Sequence, residues 1–271
     1  MFKLTVLGNN GPYPAKGGAC SGYLLQRDDT IIILDLGSGS LANLVTALSY
    51  DLEGIDAIIL THLHSDHISD ISVLRYAVFR AGGAAGANGG ALSIPLYCPQ
   101  SPSMEYESLR TYTQFDVRPI SETLLLTYGD LTIKFSEMQH PYPVFAVSAS
   151  VSQPAAEPAA SGTTRRFVYT GDTTWNQNLV PFSEGADLML ADANLISQDR
   201  LEGKPVFHLT AEECGIAAAE AGVAKLLLTH FTPGSDIGRR VAEAKAGAQK
   251  VLGRNDCLIV EDAQILKSYE I

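Results

Sequence analysis

This sequence lacks any excess of positive charge. Nineteen Lys and Arg stand against thirty Asp and Glu, a formal net charge of −11. A chain without excess cations has little to displace phosphate counterions, so it is a poor non-specific binder of nucleic acid. Cysteine is also sparse. Cys20, Cys98, Cys214 and Cys257 are scattered and form no C-x-x-C pair, which argues against a disulfide framework and for a reducing, cytoplasmic setting. No apolar run approaches ~18 residues, so no membrane span is expected. The strand-like start at Phe2–Leu7 lacks the basic and apolar regions of a signal peptide. With 46% hydrophobic and 18% charged residues, the chain is neither a disordered tail nor a coiled coil. Its 271 residues can bury a large core without staples, and the expectation is one domain over residues 1–271.

What is present is an alternation of strands and helices. Phe2–Gly8, Tyr23–Arg27 and Thr30–Asp35 read as strands, and Ala57–Thr61 as a strand buried on both faces. Leu124–Tyr128, Leu131–Glu137 and Ala146–Val151 predict further strands, in part antiparallel. Arg166–Tyr169, Leu188–Asp192 and Lys225–Thr229 are short apolar runs of the same kind, and Cys257–Glu261 and Ile265–Tyr269 close the chain. Helices are expected over Leu41–Ser49, Ser69–Arg80, Ser103–Thr113, Thr210–Ala221 and Ile237–Ala248. The spacing of Thr210 and Glu213 is that of a capping box, and Gly222 stands where a terminating glycine belongs. Mixed α/β layers are the outcome. Two biased segments, Ala81–Ala91 and Ser152–Thr164, read as surface loops, with a lid over a site as the functional alternative.

Histidine is rare as well, but it is concentrated. Of six, three fall in Thr61-His62-Leu63-His64-Ser65-Asp66-His67, directly after the buried strand. In extended chain, residues i and i+2 share a face, so His62 and His64 point together. Two imidazoles followed by a carboxylate–imidazole pair suit two metal ions better than one, and these are ligands that zinc accepts. His140, Asp172 and His230 each follow a strand-like run, at the strand ends where α/β folds gather their ligand-binding loops.

This order of residues resembles the metallo-β-lactamase-fold superfamily, along nearly the whole chain. Asp35 in Leu34-Asp35-Leu36-Gly37 matches the superfamily's first motif, an aspartate that supports the metal loop. His208-Leu209-Thr210, with Leu228-Thr229-His230-Phe231 after it, resembles the ribonuclease Z-like and small phosphodiesterase branch. The resemblance implies a four-layer αββα sandwich with two divalent metal ions, zinc or else manganese or iron, at one edge of its sheets. It implies that His62, His64 and His140 hold one ion, that Asp66, His67 and His230 hold the second, and that Asp172 bridges them. One feature departs from ribonuclease Z. Only Pro141–Gly171 separates His140 from Asp172, which leaves no room for that enzyme's tRNA-gripping arm.

Two dications outweigh two aspartates, so the site favours an anion, and a water shared by two metals is acidified. The function expected is a dinuclear phosphodiesterase acting through a metal-bound hydroxide on a small nucleotide or short oligonucleotide. Asp66 would orient the hydroxide, and His208 would hold a phosphoryl oxygen or protonate the leaving group. A lactone or thioester hydrolase using the same site is the alternative, and a non-catalytic binding module is disfavoured because all seven ligands are present. Long nucleic acid is not an expected partner, and a homodimer is left open. The glycine-rich loop Asn9–Ser21 borders the expected pocket without being a dinucleotide fingerprint. Cys20 reads as a bystander, and Tyr13, Tyr142 and Trp175 as stacking candidates.

Overall fold

A computed structural model of the protein describes residues 2–52, 54–81, 93–153, 163–203, 207–253 and 258–271. In chain order its elements are β1 (Lys3–Gly8), β2 (Gly22–Arg27), β3 (Thr30–Leu36), α1 (Ser40–Ala47), β4 (Ile55–Ile59), α2 (Ser65–Ile68), α3 (Ile71–Ala81), β5 (Ile94–Cys98), α4 (Ser103–Arg110), β6 (Phe115–Pro119) and β7 (Leu126–Tyr128). After them come β8 (Leu131–Met138), β9 (Val144–Gln153), β10 (Thr163–Tyr169), α5 (Leu179–Ser183), β11 (Leu188–Asp192), α6 (Ser197–Leu201), α7 (Ala211–Glu220), β12 (Lys225–Thr229), α8 (Ile237–Leu252), β13 (Ile259–Asp262) and β14 (Ser268–Glu270).

The strands form two seven-stranded sheets, ordered β14-β1-β2-β3-β4-β5-β6 and β13-β12-β11-β10-β9-β8-β7. Period-2 patterning explains the layering. In β3, Ile32 and Leu34 enter the core between the sheets, while Ile33 and Leu36 face the helix layer. In β12, Leu227 enters the same central core, while Leu226 and Leu228 pack with Cys214 and Ala217 of α7 and Ala244 of α8. Three apolar layers are thereby enclosed, helix against sheet, sheet against sheet and sheet against helix, which makes a four-layer αββα sandwich. Burying each such Leu or Ile contributes about 1.5–3 kcal/mol.

Helix α7 ends as its sequence predicts. Thr210 Oγ1 accepts from the Glu213 amide at 3.1 Å, the Glu213 carboxylate accepts from the Thr210 amide at 2.8 Å, and Gly222 takes φ +66° after the last turn. Other boundaries moved. The expected helix Ser69–Arg80 is α3, shifted to Ile71–Ala81, and the turn before it holds a short helix of its own, α2, which includes Asp66 and His67. Strands β5 and β6 carry no expectation, and they extend the first sheet in parallel from β4. The antiparallel hairpin of β9 and β10 reaches to Gln153 and Thr163, so the ends of the expected loop Ser152–Thr164 are strand. Residues 154–162, and 82–91 of the other expected loop, lie outside the described residues.

Strand direction sets where the connecting loops gather. β10, β11 and β12 are parallel neighbours, and β8 runs the same way, because β9 is antiparallel to both β8 and β10. With β13 parallel to β12, five strands of the second sheet therefore deliver their C-terminal ends to one edge. In the first sheet β3 and β4 are parallel and do the same. Among the described residues no helix is long and apolar enough to cross a membrane.

Candidate metal centre

Each strand end contributes a side chain. Asp35 is the last residue but one of β3, Thr61–His67 follows β4, His140 follows β8, Asp172 follows β10, Asp192 ends β11, and His230 follows β12. Ligand atoms of His62, His64, His140 and Asp172 lie within 4.8 Å of one another, as do those of Asp66, His67, Asp172 and His230. Asp172 belongs to both groups. A third, overlapping group is Asp172, Asp192, His208 and His230.

The surroundings decide which ring nitrogens face inward. His67 Nδ1 lies 2.8 Å from Asp35 Oδ2 and His140 Nδ1 lies 2.9 Å from the Phe207 carbonyl. Both partners only accept, so each outer nitrogen donates and each Nε2 turns a lone pair to the site. The Thr61 hydroxyl donates to Asp35 and so accepts from His62 Nδ1 at 3.1 Å, which again leaves Nε2 bare. His62 Nε2 and His140 Nε2 then both approach His64 Nδ1, at 3.0 and 3.2 Å. One N–H on His64 can serve only one of these contacts, and a cation among the three nitrogens satisfies all of them. Deeper in, His67 Nε2 and Asp172 Oδ1 are buried 3.3 Å apart, and neither has a hydrogen-bond partner. Buried polar atoms rarely go unpaired. The donor set therefore fits divalent cations with nitrogen and oxygen ligands.

The electrostatics agree. Burial pushes the imidazoles of His62, His64 and His140 down, which keeps them neutral, the form that ligates. Burial opposes charge on His67 too, but Asp172 and Asp35 outweigh it and hold the ring well above its ordinary range. His230 behaves alike. Burial lowers it, yet Asp172, Asp192 and Asp66 raise it to about 10. This half of the site demands positive charge.

Support comes from Asp35, fully buried, which accepts from the Thr61 amide at 2.7 Å, from His67 and from the Tyr169 hydroxyl at 2.9 Å. Two glycines allow close approach. A Cβ on Gly11 would meet His230 Nε2 at 2.0 Å, and one on Gly37 would meet the Asp66 carbonyl at 1.8 Å. The Asn9–Ser21 loop thus borders the site, and Pro12 lines its cleft. Cys20 is buried and its thiol pushed up to about 12, by burial first and then by Asp66. Tyr142 packs its ring 4.1 Å from that of His64, whereas Tyr13 and Trp175 are exposed.

His208 is in the same cleft, of about 440 Å³, with His64, His140, Asp172 and His230. Its Nδ1 is 2.8 Å from Asp192 Oδ2, and Asp192 raises its pKa against the opposing effect of burial. Asp192 carries no expectation from the sequence. Its signal was the one that marks Asp172, a polar residue closing a short apolar run.

Residues 32–231 match the beta-lactamase superfamily domain. The chain is 32% identical over 230 residues to the probable metallo-hydrolase YhfI of Bacillus subtilis, covering 85% of this chain and 87% of that one. The crystal structure of YhfI superposes with a TM-score of 0.80 at 29% identity, over 99% of this chain and 98% of the other. A ribonuclease Z of Haloarcula marismortui is 26% identical over 275 residues, 85% of this chain and 86% of that one. A diphosphatase of the PhnP family shares the fold at a TM-score of 0.68 and 16% identity, covering 100% and 98%.

Proposed function

Because the chain belongs to the metallo-β-lactamase superfamily and is a metallo-hydrolase of its ribonuclease Z-like branch, we propose that it is a dinuclear phosphodiesterase acting on small nucleotides or short oligonucleotides. The observation that carries this reading is the sharing of Asp172 by two four-ligand groups beside a cleft that also holds His208. His62, His64 and His140 would hold one ion and Asp66, His67 and His230 the other, with Asp172 available to both. Zinc suits this donor set. When bound, the ions supply Lewis acidity and an acidified water.

The chain's own groups do the rest. The Asp66 carboxylate, whose pKa burial raises but His230 lowers to a net fall, stays ionised and would orient a water by accepting a hydrogen bond from it. His208, held by Asp192, is a donor toward a phosphoryl or leaving-group oxygen. Preference for phosphorus over a carbonyl carbon is supported by the ribonuclease Z relative. Preference for short substrates is supported by the segment between His140 and Asp172, whose described part is the β9–β10 hairpin. The two arginines there are already engaged. Arg165 pairs with Asp187 at 2.7 Å, and Arg166 donates to the Glu184 carbonyl.

The test is a panel of a chromogenic phosphodiester, a lactone and a thioester on metal-loaded protein. Turnover of the diester alone is expected. Turnover of the lactone or thioester in its place would overturn the reading.

A further inference from the structure

Beside the metal-site cleft lies a second one, of about 320 Å³, between α2, α3 and α4. Ser65 lines both, and it stands between His64 and Asp66 in the chain, so the second cleft adjoins the metal site. Its walls are of two kinds. Ile68, Leu109 and Met104 are apolar, with Met104 79% exposed. Ser69, Ser72 and Ser108 bring hydroxyls. Tyr112 adds a ring, which the Arg75 guanidinium backs at 4.4 Å.

Glu105 also lines this cleft, and its Oε2 is buried without a hydrogen-bond partner. Its place in α4 explains why. Glu105 is the third residue of the helix, where a carboxylate ordinarily accepts from the N-cap amide. The N-cap here is Pro102, which has no N–H to give. A buried acceptor left unmet is costly, and this one borders an opening large enough for a heterocyclic ring.

We propose that this cleft is the base subsite of the enzyme. It seats the nucleobase of a nucleotide diester whose phosphate lies at the metal site, with Glu105 accepting an N–H from the base edge. The assignment rests on the phosphodiesterase reading. The two clefts divide the substrate by charge. The cation site takes the anionic group, while a carboxylate repels a second anion and calls for a neutral donor. A flat base has apolar faces for Met104, Leu109 and Tyr112, and its edge carries the donors. Adenine, cytosine and guanine present an exocyclic amine, whereas uracil offers only a ring N3–H set between two carbonyl oxygens, which repel a carboxylate that approaches it. An acyl chain would leave Glu105 unmet.

Two measurements test this. On metal-loaded protein, kcat/KM for amino-base diesters is expected to exceed that for the uracil diester by about ten- to a hundredfold, the size of one charge-assisted hydrogen bond. Glu105→Gln should collapse that ratio, because an amide can also donate to uracil. Ser108→Phe, at an exposed position, should narrow the cleft and weaken both classes. Independently of hydrolysis, methyl-labelled methionine resolves Met104 on the cleft from Met189, which is fully buried. Adenosine, cytidine and guanosine should shift the Met104 signal more than uridine does, with Met189 still. A chromogenic diester hydrolysed by protein whose Met104 signal ignores all four nucleosides, or answers them equally, overturns the subsite alone. Nucleosides that shift Met104 in a protein that cleaves no diester support base binding and remove the hydrolytic reading.

Discussion

The two halves of the metal centre are built from different material. The half formed by His62, His64 and His140 is all imidazole apart from the shared Asp172, and His64 and His140 reach the cleft half-buried. The half formed by Asp66, His67 and His230 is buried throughout. Two of its rings are held in place by acids, with His67 2.8 Å from Asp35 and His230 3.1 Å from Asp66. Burial keeps the first set neutral, and carboxylates draw positive charge to the second. Both halves line one cleft, but the first opens to it more widely and the second is anchored in the core.

Substitutions can test that contrast. The largest effect concerns Asp172, which serves both halves. Asp172→Ala should lose at least one of about two metals per chain, and activity with it. Elemental analysis finding both ions and full turnover would refute the shared-ligand arrangement. Next is the support beneath the deep half. Asp35→Ala strands Thr61, His67 and Tyr169 groups in a buried site, and should cost about 3 kcal/mol or more in stability. His64→Ala, in the shallow half, should cost far less stability while still removing activity. Comparable shifts in denaturant midpoint for the two variants would show the halves to be alike.

Smaller in effect is His208→Ala. A positioned donor is worth typically ~10²–10⁴-fold in rate, and metal content should stay nearly unchanged. If His208 protonates the leaving group, the loss shrinks with a nitrophenolate. If it holds a phosphoryl oxygen, the loss is the same for good and poor leaving groups. Parallel loss of metal would instead place His208 among the ligands. The smallest effect is Thr210→Ala, which removes half of the capping box two residues from His208. It should lower stability by ~1 kcal/mol, a melting shift of roughly 2–4 °C in a chain of this size. No shift would mean that the cap adds nothing to the helix.

Much of this was legible in the sequence, for reasons that can be named. Runs such as Thr30–Asp35 are apolar on both faces of the pleat, as a strand covered on both sides must be, so the layers came out of them. The spacing of His62, His64, Asp66 and His67 is local, so the chain states it directly. What stayed hidden was set by tertiary contact. β5 and β6 each include a proline, Pro95 and Pro119, and they pair in parallel with distant segments that leave no local signature. Asp192 looked like the end of a strand, and its role depends on His208, which is brought beside it by a turn of chain. Asp35 and His230 adopt φ +54° and +60°, a left-handed backbone that few side chains favour. Nothing in their neighbours predicts it.

The strand directions have a mechanical consequence. His62, His64, Asp66 and His67 hang from the first sheet, while His140, Asp172 and His230 hang from the second. An ion in either position is thus a clasp between the two halves of the sandwich, one tying residue 62 to residue 140 and the other residue 66 to residue 230. Its hold adds to folding by mass action, about 2.7 kcal/mol when free metal is a hundred times its dissociation constant. Chelation should then loosen the sandwich from this edge inward, with amide exchange quickening first at the ends of β4, β10 and β12 and last in the core strands behind them.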